Sequence, residues 1–235
     1  MDIQVIASGS KGNCYRIDDG RTPLLMECGI GFRNLQEALD FGVRNIKGCL
    51  VTHEHKDHCR AVKELLRSGV KCYMSKGTAY ALGNEISRFK YNVITVEAEK
   101  QFTIGTWTIM PLETQHDAAE PLGFLLQSGK EKLLYASDTY YLQYTFKGIT
   151  HLMIECNYSE EILGQNVEDG KVSRSLKKRL YSSHFNLRRV KEFIQANNWD
   201  KLEEVYLIHL SESNSDEEQF KREIAELTGV PVYVA

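Results

Sequence analysis

Short apolar runs rich in β-branched and aromatic residues recur along the whole chain, at residues 3–6, 22–26, 49–52, 71–74, 93–96, 102–110, 123–127, 132–136, 151–154, 204–208 and 230–234. Polar or glycine-containing turns bound them, which is how strands read. Helical periodicity separates some of these runs. After His58, Ala61, Leu65 and Leu66 fall on one face and Gly69 closes the segment; Leu187, Val190, Phe193 and Ile194 form a second stripe behind Asn186 as N-cap. A capping box, Ser215 with Glu218, announces a third helix carrying Phe220, Ile224 and Leu227. Strands outnumber helices and helices intervene at intervals, the pattern of mixed sheets covered by helices in an α/β (α+β) class. No repeat, low-complexity tract or proline-rich linker interrupts it, so residues 1–235 read as a single domain.

Composition adds bounds. With 42% hydrophobic and 26% charged residues, the chain has material for a core and a solvated surface. No run approaches the roughly 18 apolar residues of a membrane span, and the opening MDIQVIASGSKGN lacks the basic and apolar segments of a leader. The expectation is a cytoplasmic protein with no membrane association and no stable protein partner. Cys14, Cys28, Cys49, Cys59, Cys72 and Cys156 sit in apolar segments and never form a C-x-x-C pair, which points to reduced thiols. The charge distribution matters more than the net value of −3. Eight basic residues and no acidic ones lie between Lys171 and Lys191, leaving 21 basic against 32 acidic elsewhere. Such a run is ordinarily a solvated helix face.

The candidate chemistry centres on VTHEHKDHCRAV, residues 51–62, where three histidines and an aspartate fall within six residues of a chain that has only seven histidines. If residues 49–52 form a strand, His53 and His55 continue it and project alike, because side chains alternate with period two. Asp57 and His58 fall where the chain turns into a helix and serve a neighbouring position, while Glu54 and Lys56 face outward. Three further donors each follow an apolar run: His116, Asp138 after LLYAS, and His209 after EEVYLI. Strand ends deliver ligands to one edge of a sheet in layered α/β folds. Imidazoles and carboxylates without sulfur suit zinc, manganese or ferrous iron. A closed structural zinc site takes four ligands and commonly uses cysteine. Seven donors read better as two ions with open positions.

THEHKDH, with the later His116, the Ser137–Thr139 triplet SDT and His209, resembles the metallo-β-lactamase superfamily across nearly the whole chain. The resemblance implies a four-layer αββα sandwich of two mixed β-sheets flanked by helices. It also implies two divalent ions, zinc or manganese: His53, His55 and His116 on one, Asp57, His58 and His209 on the other, Asp138 bridging. ASGSKGNCY (7–15), QHDAAEPLGF (115–124), ECNY (155–158) and HLSESN (209–214) are similar to the WalJ (YycJ) group of bacterial DNA exonucleases. Two departures stand out: Glu27-Cys28-Gly29 has Glu where that group commonly has Asp, and His184-Phe185-Asn186 replaces the usual His-Leu-Ser.

What the resemblance implies is a phosphodiesterase that cleaves DNA, or RNA, from a 5′ end through a hydroxide bridging two metals, a water acidified and oriented by the pair. Asp57 would ligate and orient that hydroxide. His184, ahead of a helix N-cap and inside the basic run, is the candidate proton donor to the leaving oxygen, and Glu155 at the end of HLMIE the group that fixes its tautomer. Lys178 and Arg179 in the basic run are candidate phosphate contacts. Ser8 and Asn13, in the glycine-rich turn SGSKGN, are candidates to cradle a phosphate, although by geometry alone a plain hairpin loop explains that turn better. His151 opens an apolar strand and reads as structural. Tyr140 and Tyr141 beside Asp138 are placed to stack a base, but with 12 tyrosines in the chain that adjacency alone does not select them as site residues. The alternative is a hydrolase of small esters, thioesters or lactones, which needs no cationic track. A secreted β-lactamase and a non-catalytic metal-binding module find no support in these residues.

Overall fold

Alternation of fully buried and half-buried positions makes Cys14–Asp18 a strand, β2, although its polar Arg16 and Asp18 hide it from a search for apolar runs. It pairs antiparallel with β1, Asp2–Ala7, and with β3, Leu24–Met26. The computed structural model describes all residues, 1–235. Thirteen strands form two mixed β-sheets flanked by eight α-helices, and the chain divides into two units: residues 1–113 with 118–130, and residues 114–117 with 131–235.

In the first unit, β3 is followed in parallel order by β4 (Gly48–Leu50), β5 (Cys72–Ser75) and β6 (Val93–Val96). Parallel neighbours require crossovers, supplied by α1 (Phe32–Ala38), then α2 (Lys56–Cys59) with α3 (Val62–Arg67), then α4 (Lys76–Leu82). β3, β4 and β5 are buried at every position, so their sequences run apolar without alternation. Leu25, Cys49, Leu65, Leu66 and Met74 share one core. Residues 102–110, read as one strand, are instead a hairpin of β7 (Phe102–Ile104) and β8 (Trp107–Glu113), which continues antiparallel into β9 (Leu122–Ser128). The break is Gly105, at φ 56° and so close to Thr22 that a Cβ would lie 2.4 Å from its hydroxyl.

The second unit is a parallel succession: β10 (Glu131–Ala136), β11 (His151–Glu155), β12 (Glu204–Ile208) and β13 (Val232–Val234). Between β11 and β12 come α5 (Glu160–Glu168), α6 (Arg174–Ser183) and α7 (Leu187–Gln195); α8 (Glu217–Thr228) precedes β13. α7 buries the predicted stripe, and the Asn186 side chain accepts the Arg189 amide at 2.8 Å. α8 is capped by Asp216 rather than Ser215, because the Ser215 hydroxyl is spent on the Ser211 carbonyl at 2.6 Å. All six cysteines are unpaired and buried. No helix is long and apolar enough to cross a membrane.

Candidate metal centre

In the first unit the sheet ends sooner than the sequence suggests. β4 stops at Leu50, and residues 51–55 form a loop that ends with His55 as the extended N-cap residue of α2. His53 and His55 therefore meet by loop geometry, not by strand alternation. The His53 ring lies 4.6 Å from that of His55 and 4.2 Å from that of His58, while Thr52 Oγ1 holds His53 Nδ1 at 2.9 Å. Three imidazoles in contact bring several ring nitrogens, the commonest metal-ligand atoms, to one place. Glu54 departs from its expected outward pose: it is half-buried and accepts the Ala119 amide at 2.8 Å. Lys56 is exposed as expected and pairs with Glu85 at 2.7 Å.

Two other segments clamp this loop. The Asn13 amide nitrogen donates to the Asp57 carbonyl at 2.7 Å, and its side-chain nitrogen lies 3.3 Å from both that carbonyl and His58 Nε2. Asn13 Oδ1 accepts the Gly9 amide at 3.0 Å and the Tyr15 hydroxyl, which also donates to Ser8 Oγ at 2.9 Å. Asn13 is wholly buried, and these bonds occupy both ends of its side chain. Gly29 lies against Asp57 so closely that a Cβ would stand 1.7 Å from the Asp57 carbonyl oxygen. Glu27, buried and at φ 61°, accepts the Thr52 amide through Oε2 at 3.2 Å and puts Oε1 3.3 Å from His58 Nδ1. The positioning roles of Asn13 and Gly29 could be found only through the motifs that contain them.

In the second unit, three adjacent parallel strands each deliver a donor at the C-terminal end: Asp138 just past β10, Glu155 closing β11 and His209 directly after β12. Asp138 and His209 sit in left-handed backbone, at φ 46° and 55°, a conformation that costs non-glycine residues strain and gathers at functional sites. His184, the C-cap of α6, joins them, and the donor atoms of Asp138, Glu155, His184 and His209 all lie within 4.8 Å of one another. Glu155 is the hub. Its Oε1 meets His184 Nδ1 at 2.5 Å and His209 Nδ1 at 3.0 Å, and its Oε2 accepts the amides of Thr139 at 3.0 Å and Phe185 at 3.2 Å. Burial disfavours a charged His184, but the carboxylate against it prevails and raises its pKa above the ordinary imidazole value. The same pairing overcomes burial at Glu155 and holds its pKa below the ordinary carboxyl value.

His116 turns Nδ1 to the Ser183 carbonyl at 2.9 Å, a contact that fixes the tautomer and leaves Nε2 as its donor atom, 3.5 Å from Asp138 Oδ2. Burial lowers its pKa, favouring the neutral ring a metal requires. Asn157 donates to the His209 carbonyl at 2.8 Å, and Ser137 to Asp138 Oδ1 at 2.9 Å. Asn157 is reachable only through the ECNY motif that contains it, and the Ser183 carbonyl escapes sequence reasoning because backbone groups leave no residue signature. His151 opens β11, buried, with Nδ1 against the Thr150 hydroxyl at 2.8 Å.

A family model described as the beta-lactamase superfamily domain matches residues 22–210. The chain belongs to the metallo-β-lactamase superfamily. Exodeoxyribonuclease YycJ of Bacillus anthracis is 26% identical over 244 residues, covering 97% of this chain and 89% of its own. Exodeoxyribonuclease WalJ of Streptococcus pneumoniae is 27% identical over 229 residues, covering 91% and 83%. The crystal structure of the metallo-β-lactamase fold protein YhfI from Bacillus subtilis aligns with a TM-score of 0.70 at 16% identity, covering 99% and 95%. The αββα class expected from the sequence is thus the class to which this chain belongs. It is a metal-dependent hydrolase, and its clustered imidazoles and carboxylates, with no sulfur among them, are a donor set that fits divalent ions.

The basic run is less cationic than its composition suggests. Lys171 pairs with Asp169, Arg179 with Asp117 at 3.2 Å, Arg188 with Glu160 and Glu192, and Lys191 with Glu223. Arg189 donates to the carbonyls of Tyr140 and Tyr181. Lys177 lies over the Tyr181 ring, and Lys178 is exposed on α6. Asp117, Glu160 and Glu223 come from distant positions, so a local count of charges misses them.

Proposed function

We propose that this protein is a nuclease that hydrolyses phosphodiester bonds of DNA from a 5′ end, within the cytoplasm and as one catalytic domain. The observation that carries the reading is the His184–Glu155 pair, a buried imidazole hydrogen-bonded to a buried carboxylate beside the donors Asp138 and His209. A departing alkoxide needs a proton, and a positioned histidine is the commonest side chain to supply one. End-to-end similarity to two exodeoxyribonucleases supports DNA as the substrate, and six unpaired cysteines accord with a reducing compartment.

In this reading two ions, zinc or manganese, would be held by His53, His55 and His116 and by Asp57, His58 and His209, with Asp138 as a further ligand. When bound, such ions acidify water and neutralise charge on a phosphoryl group. Asp57 orients the attacking water, His184 delivers the leaving-group proton and Glu155 keeps its ring aimed. Lys178 and Arg179 meet phosphates along the strand, and Ser8 lies on the turn that approaches it. Asn13 serves that turn by holding the Asp57 carbonyl and the His58 ring rather than the substrate.

A small-ester, thioester or lactone hydrolase is the second reading, favoured by the internal pairing of half the basic run. One panel separates the readings: end-labelled duplex DNA, single-stranded DNA and RNA, beside a lactone and a thioester, each with manganese or zinc. DNA shortened from its 5′ end is the expected result. Turnover of the lactone or thioester with every nucleic acid intact would replace the first reading by the second. His184→Ala is expected to slow cleavage about 10²- to 10⁴-fold with metal content unchanged; a loss of metal would make His184 a ligand instead.

A further inference from the structure

The second unit contains a cleft that the chemistry above does not use. Its volume is about 420 Å³, within the range of small-molecule sites, and Tyr140, Tyr141, Tyr144, Phe185, Phe193 and Arg189 line it. Phe185 directly follows His184, and Tyr140 stands two residues after Asp138. Thr139 ties the cleft wall to the buried hub. Its amide donates to Glu155 Oε2 at 3.0 Å, and its hydroxyl donates to the Tyr141 carbonyl at 2.8 Å. The wall is also preformed. The Arg189 guanidinium sits 5.6 Å from the Tyr140 ring centre and donates to the Tyr140 carbonyl at 3.1 Å. Behind it Phe193 packs against Phe185, Phe146 and Trp199 at centroid distances of 6.4, 6.1 and 5.8 Å. Aromatic faces with a guanidinium and nearby amides suit a flat heteroaromatic ring: the faces stack it and the polar groups meet its edge.

We propose that this cleft holds one nucleobase of the DNA strand being cut, stacked on the exposed ring of Tyr141, so that a base at a fixed distance from the scissile bond governs catalytic efficiency. This rests on the nuclease reading, and its test keeps the two apart. Wild type, Tyr141→Leu and Tyr141→Phe are assayed on 5′-end substrates in which each of the first nucleotides in turn is abasic. Tyr141 is 57% exposed, so the variants perturb little of the core. For wild type, one abasic position is expected to lower kcat/KM roughly five- to hundredfold. Tyr141→Leu is expected to lose a similar factor on intact DNA and nothing more on that abasic strand, while Tyr141→Phe stays near wild type. Indifference to every abasic position, or losses that multiply when combined, would overturn the cleft and leave the nuclease standing. Should no DNA be cut with any metal, an oligonucleotide carrying 2-aminopurine near its 5′ end decides the cleft alone. Quenching by wild type and not by Tyr141→Leu supports it, and equal or absent quenching overturns it.

Discussion

In the first unit four metal-type donors come from six consecutive residues, 53–58, whereas in the second the donors come from five segments spread between His116 and His209. The first group is a loop held from outside. Asn13 and Gly29 reach the Asp57 carbonyl, and Glu27 reaches Thr52 and His58, all from other parts of the chain. The second group is built on a row of three strand ends, joined by His116 and the α6 C-cap His184, and is held from inside by one buried carboxylate, Glu155, that touches two imidazoles and two backbone amides. Donors adjacent in sequence need a clamp because a loop has no ladder to fix it. Donors on adjacent parallel strands inherit their spacing from the sheet and need only orientation.

The comparison can be broken most severely by removing a donor from either group. His53→Ala and His209→Ala are each expected to bring hydrolysis to background and to lower the metal content of the purified protein, read by elemental analysis; either variant with full metal and full activity would remove that residue from the site. Next in size is the hub. Glu155→Gln is expected to cost roughly 10- to 100-fold in activity, as outer partners of ligands typically do, while the protein stays folded by circular dichroism. In the first group the corresponding change, Asn13→Ala, is expected to weaken metal retention by a similar factor of about 10 to 100 in a chelator titration. If Glu155→Gln were silent and Asn13→Ala severe, the inside-held description of the second group would fail.

Gly29→Ala sharpens the contrast through stability. Overpacking against backbone is expected to cost about 3 kcal/mol or more, seen as a lowered thermal midpoint with or without metal; an unchanged midpoint would show that the Asp57 loop shifts freely. The smallest effect concerns the basic run. Lys178→Gln is expected to reduce the salt slope of DNA binding by up to about one, and Arg179→Gln by less, because Asp117 already pairs with Arg179. Equal slopes for both variants would mean that this pair opens when DNA binds.

The same contrast explains what was legible. The first group is local, so a count of histidines in six residues exposes it. The second is assembled by β10, β11 and β12, and only the habit of placing ligands after apolar strands, together with family resemblance, points to Asp138, His209 and the His184–Glu155 pair. Long stripes such as that of α7 read correctly. The helices α1 and α4, of seven residues each, and the mostly polar α6 do not, because the first two carry too little periodicity and the third too few apolar positions. Gly105 split an apparent strand by a contact with Thr22 that no local pattern encodes. The paired state of the basic run was equally hidden, since Asp117, Glu160 and Glu223 lie outside it.

Because every cysteine thiol is enclosed and burial pushes those of Cys14, Cys59 and Cys156 upward in pKa, thiol-directed dyes should leave the folded protein untouched. A single cysteine introduced on the outer face of α6 would then be the sole reactive handle. One-to-one labelling there would allow a fluorophore to report strand arrival without stripping the native residues.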